Sequence, residues 1–190
     1  LPRVQQDLGV VELTVTDERS ELPPVQIKAF TADLLPGLTA LGHELRPYQL
    51  QTGRKMVLLG TGIAEIATGG GKTALYGAIV RFLRQYGRQT CVVLVDRSFL
   101  VQQTISEFIG KGVAPPDEIG GLLSDPYMRD LDRPILVGTV QSFSAALKRS
   151  DMEIYERLAS ADILVVDECH HAPSKQAATV IACCNARERF

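Results

Sequence analysis

The sequence predicts an α/β domain in which a parallel sheet carries helices on both faces. From residue 46 onward, short apolar segments alternate with longer amphipathic ones along the 190-residue chain. The segments 91–96 and 161–168 are apolar at almost every position, as expected for strands buried on both faces. The segment 72–87 repeats apolar residues at helical spacing and ends in glycine. This alternation is typical of a parallel sheet covered by helices.

The elements follow in chain order. The apolar segments predict strands at GIAEIAT (62–68), CVVLVD (91–96), PILVGTV (134–140) and ADILVVDE (161–168). The helix over 72–87 would bury the face that carries Leu75, Ala78, Ile79, Phe82 and Tyr86. A second helix is predicted to start at Ser98, whose hydroxyl could cap it, and to end at Gly110.

Residues 1–44 differ in pattern from the rest. Apolar and polar residues alternate over 11–15 and again over 25–29, which predicts two half-exposed strands, and LPGL (35–38) predicts a turn. We therefore expect residues 1–44 to form an accessory segment, or the end of a small accessory domain. The main domain is expected over 45–190.

Composition excludes several classes of protein. The chain is 45% hydrophobic and 22% charged, and its apolar runs are shorter than the roughly 18 residues that span a bilayer. Its net charge of −2 provides no strongly basic surface. The four cysteines include no C-x-x-C pair, which favours reduced thiols and a cytoplasmic (or nucleoid-associated) protein without a membrane partner.

The strongest local signal is ATGGGKT (67–73), where an apolar segment ends and a helix begins. Three glycines allow backbone N–H groups to surround phosphate oxygens, and the helix N-terminus adds its dipole. Thr68 and residues 69–71 would line this loop, Lys72 would reach the β- and γ-phosphates, and Thr73 would supply a hydroxyl to Mg²⁺. Ile66 replaces the first glycine of the strict motif, and a glycine-rich linker with a solvated lysine is the alternative.

The second signal is VVDECHH (165–171), at the end of a buried strand. Asp167 is placed to hold the metal and Glu168 to activate water as a general base. The adjacent Cys169, His170 and His171 lack the two-to-four-residue separation of zinc ligands. A pair of acids that solvates a strand end is the alternative that the residues leave open.

Five segments in order resemble the motifs of superfamily 2 helicases and translocases. Besides ATGGGKT and DECH, these are LRPYQ (45–49), VLVDRSFLVQQ (93–103) and VGTVQS (137–142). The resemblance implies a RecA-like P-loop NTPase domain of the DExH type. Within the superfamily, DECHHAP and EIATGGGKT are most similar to the UvsW-like and restriction-translocase group.

The resemblance also assigns roles. It implies that Arg46 and Gln49 recognise adenine and that His170 couples the nucleotide site to bound nucleic acid. Contacts to the nucleic-acid backbone, independent of sequence, would come from Arg97, Ser98, Thr139 and Gln141.

The function that follows is an ATP-dependent DNA helicase or translocase, with Lys72, Asp167 and Glu168 as its catalytic residues and ATP and Mg²⁺ as its cofactors. The motor subunit of a restriction system and an RNA helicase are alternatives, and a non-catalytic nucleotide-binding module is a third.

The resemblance covers residues 45–190 and implies more than these residues contain. In the family, a further strand ending in a Ser/Thr-Ala-Thr motif and a second RecA-like domain with arginine fingers follow. That strand lies between the strands predicted at 62–68 and 161–168. We therefore expect residues 45–190 to be an incomplete first motor domain, inactive alone.

Overall fold

A computed structural model describes residues 24–67, 69–123, 129–169 and 174–190. These residues form one five-stranded sheet in which every paired strand is parallel, in the order β2-β3-β1-β4-β5. The strands are β1 (Cys91–Val95), β2 (Ile119–Leu122), β3 (Ile135–Thr139), β4 (Ile163–Val166) and β5 (Glu188–Arg189). The helices are α1 (Pro36–Thr39), α2 (Pro47–Leu59), α3 (Lys72–Arg84), α4 (Ser98–Lys111), α5 (Val140–Lys148), α6 (Met152–Ala159) and α7 (Lys175–Cys183).

The central strand β1 shows why the sheet is covered on both faces. All five of its residues are buried, and successive side chains point to opposite faces. Val93 belongs to the apolar cluster that contains Phe82 of α3 and Phe108 of α4. Val92 belongs to the cluster on the other face, which includes Phe143 of α5. The predicted parallel α/β architecture is confirmed.

The predicted α3 and α4 are present with shifted ends. The α3 helix ends at Arg84, short of the predicted residue 87, and its residues Leu75, Ala78, Ile79 and Phe82 are buried. The expectation that Ser98 caps α4 is wrong, because Arg97 occupies the N-cap without a side-chain hydrogen bond. The helix ends at Lys111 and is capped by Gly112, whose φ of +71° is the left-handed conformation that glycine adopts easily.

The strand predicted at 62–68 is not formed in the described residues. Residues 62–67 have no regular structure, Thr68 lies outside the described residues, and Thr61 makes a single parallel bridge to Arg189. Arg189 donates its N–H to Gly60 O at 2.9 Å and accepts from the N–H of Gly62 at 3.1 Å. Strand β5 thus pairs with this segment at one point only, and a strand needs a continuous partner for its backbone groups.

A short strand, β5, lies beside β4 at the position expected to lack one. Glu188 and Arg189 pair with Ile163 and Leu164, and Val166 donates its N–H to Phe190 O at 2.7 Å. The expectation that this position lacks a strand is therefore corrected, since β5 lies between β4 and Thr61.

The N-terminal prediction is also corrected in part. Residues Ile27–Ala29 form a 3₁₀ turn instead of a strand, because Phe30 donates its N–H to Ile27 O at 3.0 Å and closes the turn locally. The LPGL turn lies in the short helix α1, and the strand predicted at 11–15 lies outside the described residues. Phe30 is fully buried, and its ring packs edge-on against that of Phe82, with 5.2 Å between the ring centroids.

The edge strand β2 has no counterpart among the predictions. Its sequence, IGGL, contains two glycines, which are disfavoured in strands, so the local pattern does not predict a strand here. Gly120 is required by close packing, since a Cβ there would lie 2.1 Å from Asp130 O.

A buried arginine ties α6 to the sheet. The Nη2 of Arg157 donates to the backbone oxygens of Cys91 (3.2 Å), Arg133 (3.1 Å) and Pro134. Burial lowers the pKa of this guanidinium from its usual range. The helix is therefore fixed where β1 and β3 begin.

Candidate nucleotide-binding site

The phosphate loop lies at the edge of the sheet where the strands end. Gly69 and Gly71 have φ of +76° and +79°, and Gly71 is the N-cap of α3. A Cβ on Gly70 would lie 2.5 Å from Cγ2 of Ile66. Each glycine is therefore needed for conformation or space, and the loop leads directly to the helix N-terminus that favours anions.

The loop and the end of β4 meet through an ion pair. Nζ of Lys72 lies 2.8 Å from Oε1 of Glu168, although the two residues are 96 positions apart. Their side chains are 29% and 33% exposed. The hydrogen bond to Glu168 raises the pKa of Lys72, so the ammonium remains charged. The structure thus brings together two predicted catalytic residues.

Asp167 lies immediately beside this pair. Its N–H donates to Leu94 O at 2.9 Å, which continues the pairing of β4 with β1. The Glu168 N–H donates to Oδ1 of Asp167 at 3.0 Å, and Glu168 itself has a φ of +52°. Burial raises the pKa of Asp167, and the charge of Glu168 adds to this shift. A partly buried carboxylate of this kind is stabilised by a bound cation.

Thr73 lies beside groups on α3 and α4 that the sequence did not single out. Burial acts to raise the pKa of Glu107, but hydrogen bonds from Lys111, Gln103 and Thr73 outweigh it and lower that pKa. Burial raises the pKa of Tyr76, and the charge of Asp167 contributes to the shift. The sequence of α4 gives no indication that Glu107 lies near Thr73. Tyr76, by contrast, follows Thr73 by one turn of the same helix, so their proximity could have been predicted.

A cavity of about 730 Å³ adjoins these groups. Its lining includes Lys72, Asp167 and Glu168 together with apolar side chains such as Ile66 and Val165. The cavity lies between residues 63–67 and the end of β4. Phe190, which directly follows β5, also lines it.

The LRPYQ segment packs directly against the phosphate loop. Gln49 is 4% exposed, and its Nε2 donates to the backbone oxygens of Gly70 (3.2 Å) and Gly71 (3.0 Å). The hydroxyl of Tyr48 also donates to Gly70 O. Arg46 is exposed, and its Nη1 lies 3.4 Å from the Tyr48 hydroxyl. Sequence reasoning included Tyr48 in the motif without assigning it a role.

The residues expected to contact nucleic acid divide into two groups. Arg97 and Ser98 follow β1 and are exposed, and Gln141 is exposed on the first turn of α5. Thr139 is buried, and its hydroxyl caps α5 by accepting from the Ser142 N–H at 3.0 Å. Residues Val95 and Thr139 are paired in register, so both groups lie at the same edge of the sheet as Asp167.

His170 and His171 lie outside the described residues. Cys169 is a half-buried free thiol that lines the cavity. In the described ranges, no group of three or more histidine, cysteine or acidic side chains is arranged to hold a metal ion. No described helix is long and apolar enough to cross a membrane.

Residues 42–190 match the family described as type III restriction enzyme, res subunit. The chain belongs to this family. It is a helicase-like ATPase motor domain of superfamily 2, as the ordered motifs predicted. The chain is also 31% identical over 134 residues to the ATP-dependent RNA helicase DHX58 of Mus musculus, covering 67% of this chain and 20% of that protein. The chain thus spans about a fifth of the length of this curated relative.

Solved structures show the same fold. The UvsW helicase from bacteriophage T4 superimposes with a TM-score of 0.64 at 20% identity, covering 90% of this chain and 60% of that one. A hypothetical ATP-dependent RNA helicase from Sulfolobus tokodaii gives a TM-score of 0.64 at 17% identity, covering 83% and 48% of the two chains.

The residues present fit ATP and Mg²⁺. The loop glycines and the α3 N-terminus would form a cradle for phosphates, with Lys72 beside it. Thr73 and the partly buried Asp167 would supply the hydroxyl and carboxylate oxygens that Mg²⁺ prefers.

Proposed function

We propose that this chain is the first motor domain of an ATP-dependent DNA helicase or translocase, active together with a second RecA-like domain in the full-length protein. The observation that carries the proposal is the contact of Lys72 with Glu168 at the sheet edge that also bears Arg97 and Gln141. With the nucleotide site and the nucleic-acid surface on one edge of the sheet, ATP hydrolysis would control the affinity of the domain for nucleic acid.

In this mechanism, Lys72 moves from Glu168 to the β- and γ-phosphates. Thr73 and Asp167 would hold Mg²⁺, which neutralises phosphate charge when bound. Glu168, released from the ion pair, would accept a proton from the water whose oxygen bonds to the γ-phosphorus, while the bond from that phosphorus to the β–γ bridging oxygen breaks and ADP leaves. Thr68, which lies outside the described residues, would line the phosphate loop, as the sequence predicts.

The nucleic-acid strand would lie across the ends of β1 and β3. Arg97, Ser98 and Gln141 would contact phosphates without reading bases, which suits a motor that moves independently of sequence. Thr139 would act by shaping the start of α5, since its hydroxyl already caps that helix. His170 would link this surface to the nucleotide site.

Two further candidates each have a supporting observation. The matched family supports a motor subunit of a restriction system, which would also act on DNA. The 31% identical relative carries the name of an RNA helicase and supports RNA as the substrate.

The test is the ATPase activity of the full-length protein with single-stranded, duplex and forked DNA and with RNA. We expect stimulation by DNA, and Lys72→Ala is expected to abolish turnover while the protein stays folded. Greater stimulation by RNA would favour the RNA helicase. A rate that neither nucleic acid changes would refute the motor function.

A further inference from the structure

A buried tyrosine lies beside the candidate metal site and has no role in the function proposed above. Tyr76 is on the second turn of α3 and is 8% exposed. Its side chain lines the same cavity as Lys72 and Asp167. Its ring packs against that of Phe108 on α4, with 5.6 Å between the ring centroids. This packing fixes the ring, so the hydroxyl has a defined position next to the site.

The hydroxyl of Tyr76 is an exception to the usual pairing of buried polar groups. It is shielded from solvent and makes no hydrogen bond to any described residue. Most buried polar side-chain atoms have a partner, because an unpaired one has lost its hydrogen bonds to water. The hydroxyls of Thr73 and Thr104 lie near enough to act on the pKa of Tyr76, but neither meets hydrogen-bond geometry with it. The Tyr76 oxygen can therefore both donate to and accept from a further group.

Asp167 indicates which group would use this hydroxyl. Burial raises the pKa of Tyr76 and the charge of Asp167 raises it further, although the two side chains share no direct hydrogen bond. Polar groups separated by more than a hydrogen bond are commonly bridged by water. Asp167 and Thr73 are the proposed ligands of Mg²⁺, and bound Mg²⁺ usually keeps several of its waters. A metal-bound water between Asp167 and Tyr76 would pair the hydroxyl.

We propose that Tyr76 is a positioning residue for Mg²⁺, and that its hydroxyl forms a hydrogen bond with a water bound to the metal that accompanies the triphosphate. This inference rests on the proposed ATP-binding function. Groups that form hydrogen bonds with the ligands of a metal orient those ligands and strengthen metal affinity. Tyr76 therefore contributes to the binding of Mg–ATP but not to the binding of ATP alone.

The test compares ATP with and without the metal. Dissociation constants of the full-length protein are measured by calorimetry for Mg–ATP and for ATP in EDTA. Tyr76→Phe removes one hydroxyl and keeps the ring that packs against Phe108. Tyr86→Phe is the matched control, because the Tyr86 ring also packs against a phenylalanine, Phe82, but does not line the cavity. The melting temperature of each protein is recorded without metal or nucleotide.

We expect Tyr76→Phe to raise the dissociation constant for Mg–ATP by about threefold to tenfold, since this factor corresponds to one neutral hydrogen bond. The dissociation constant for ATP in EDTA should not change. The metal-free melting temperature should not fall, because the lost hydroxyl makes no hydrogen bond to the described residues. Tyr86→Phe should leave both dissociation constants at their wild-type values.

The outcomes separate a role toward the metal from a role in the fold. An equal loss of affinity for both ligands in Tyr76→Phe would show that the hydroxyl supports the loop and not the metal, and would overturn the inference. Unchanged affinity for Mg–ATP would also overturn it, with or without a lower melting temperature. Failure of the wild-type protein to bind ATP in either condition would instead refute the proposed function itself.

Discussion

Replacing Glu168 by glutamine tests both of its proposed roles, because it removes the proposed general base and the ion-pair partner of Lys72. In the structure, Lys72 must leave a carboxylate at 2.8 Å before it can reach a phosphate. Glutamine preserves the size of the side chain and can still accept a hydrogen bond, but it carries no charge. We therefore expect Glu168→Gln to bind Mg–ATP more tightly and to hydrolyse it more slowly.

The size of both effects follows from the geometry. The two side chains of the ion pair are about one-third exposed, so the net stability of the pair is about 1 kcal/mol after solvent screening. Removing this competition should tighten Mg–ATP binding by about fivefold. Loss of a general base typically lowers turnover by about 10²–10⁴-fold.

The assay is equilibrium binding of Mg–ATP to the full-length protein, followed by single-turnover hydrolysis. Glu65→Gln is the matched control, since Glu65 lines the same cavity but is exposed and makes no described contact with Lys72. Raising the salt concentration should reduce the gain in affinity, because exposed ion pairs are screened. Weaker binding in Glu168→Gln, or turnover at the wild-type rate, would refute the reasoning.

Three further predictions concern the stability of the folded protein. Asp167→Asn should increase the free energy of unfolding at pH 7, because burial holds the folded-state pKa of Asp167 above its unfolded value and its ionised form opposes folding as pH rises. In urea titrations, the difference between the two proteins should disappear below about pH 4, where the carboxyl is protonated in both states. A difference that persists at that pH would contradict this prediction. Gly71→Ala should destabilise the protein more than Gly69→Ala, since both positions have positive φ but only a Cβ at position 71 would meet a neighbouring side chain, that of Gln49. Equal decreases in melting temperature for the two variants would be inconsistent with this clash. Arg157→Met should lower the free energy of unfolding by about 2–3 kcal/mol, because it removes hydrogen bonds from a charged donor to buried carbonyl oxygens, whereas the exposed control Arg149→Met should leave the urea midpoint unchanged.

The parts of the fold that could be predicted are those where local pattern and burial agree. The continuous apolar segments became β1, β3 and β4, because strands buried on both faces need apolar side chains at every position. The segment 62–67 has a similar composition, yet it forms no strand beyond its bridge at Thr61, since strand formation depends on a partner that local sequence does not specify. Strand β2 was missed because its glycines serve close packing.

The candidate site was predictable where chemistry requires particular residue types in sequence. The loop glycines, Lys72 and Glu168 could be recognised because phosphate binding and water activation leave few substitutes. Their mutual contact could not be predicted, since it depends on how α3 and β4 meet. The contacts of Gln49 with the loop carbonyls could not be predicted either, because a glutamine in sequence does not reveal which polar groups its carboxamide will meet.

The burial of Phe30 affects where this domain can be divided. Its ring lies against Phe82, its backbone oxygen accepts from Nε of Arg54 at 2.9 Å, and a Cβ on Gly53 would lie 2.5 Å from its ring. The family match begins only at residue 42. A protein shortened to that boundary would expose an aromatic face of α3 to water and favour aggregation. The smallest soluble unit therefore has to begin ahead of Phe30, upstream of every recognised motif.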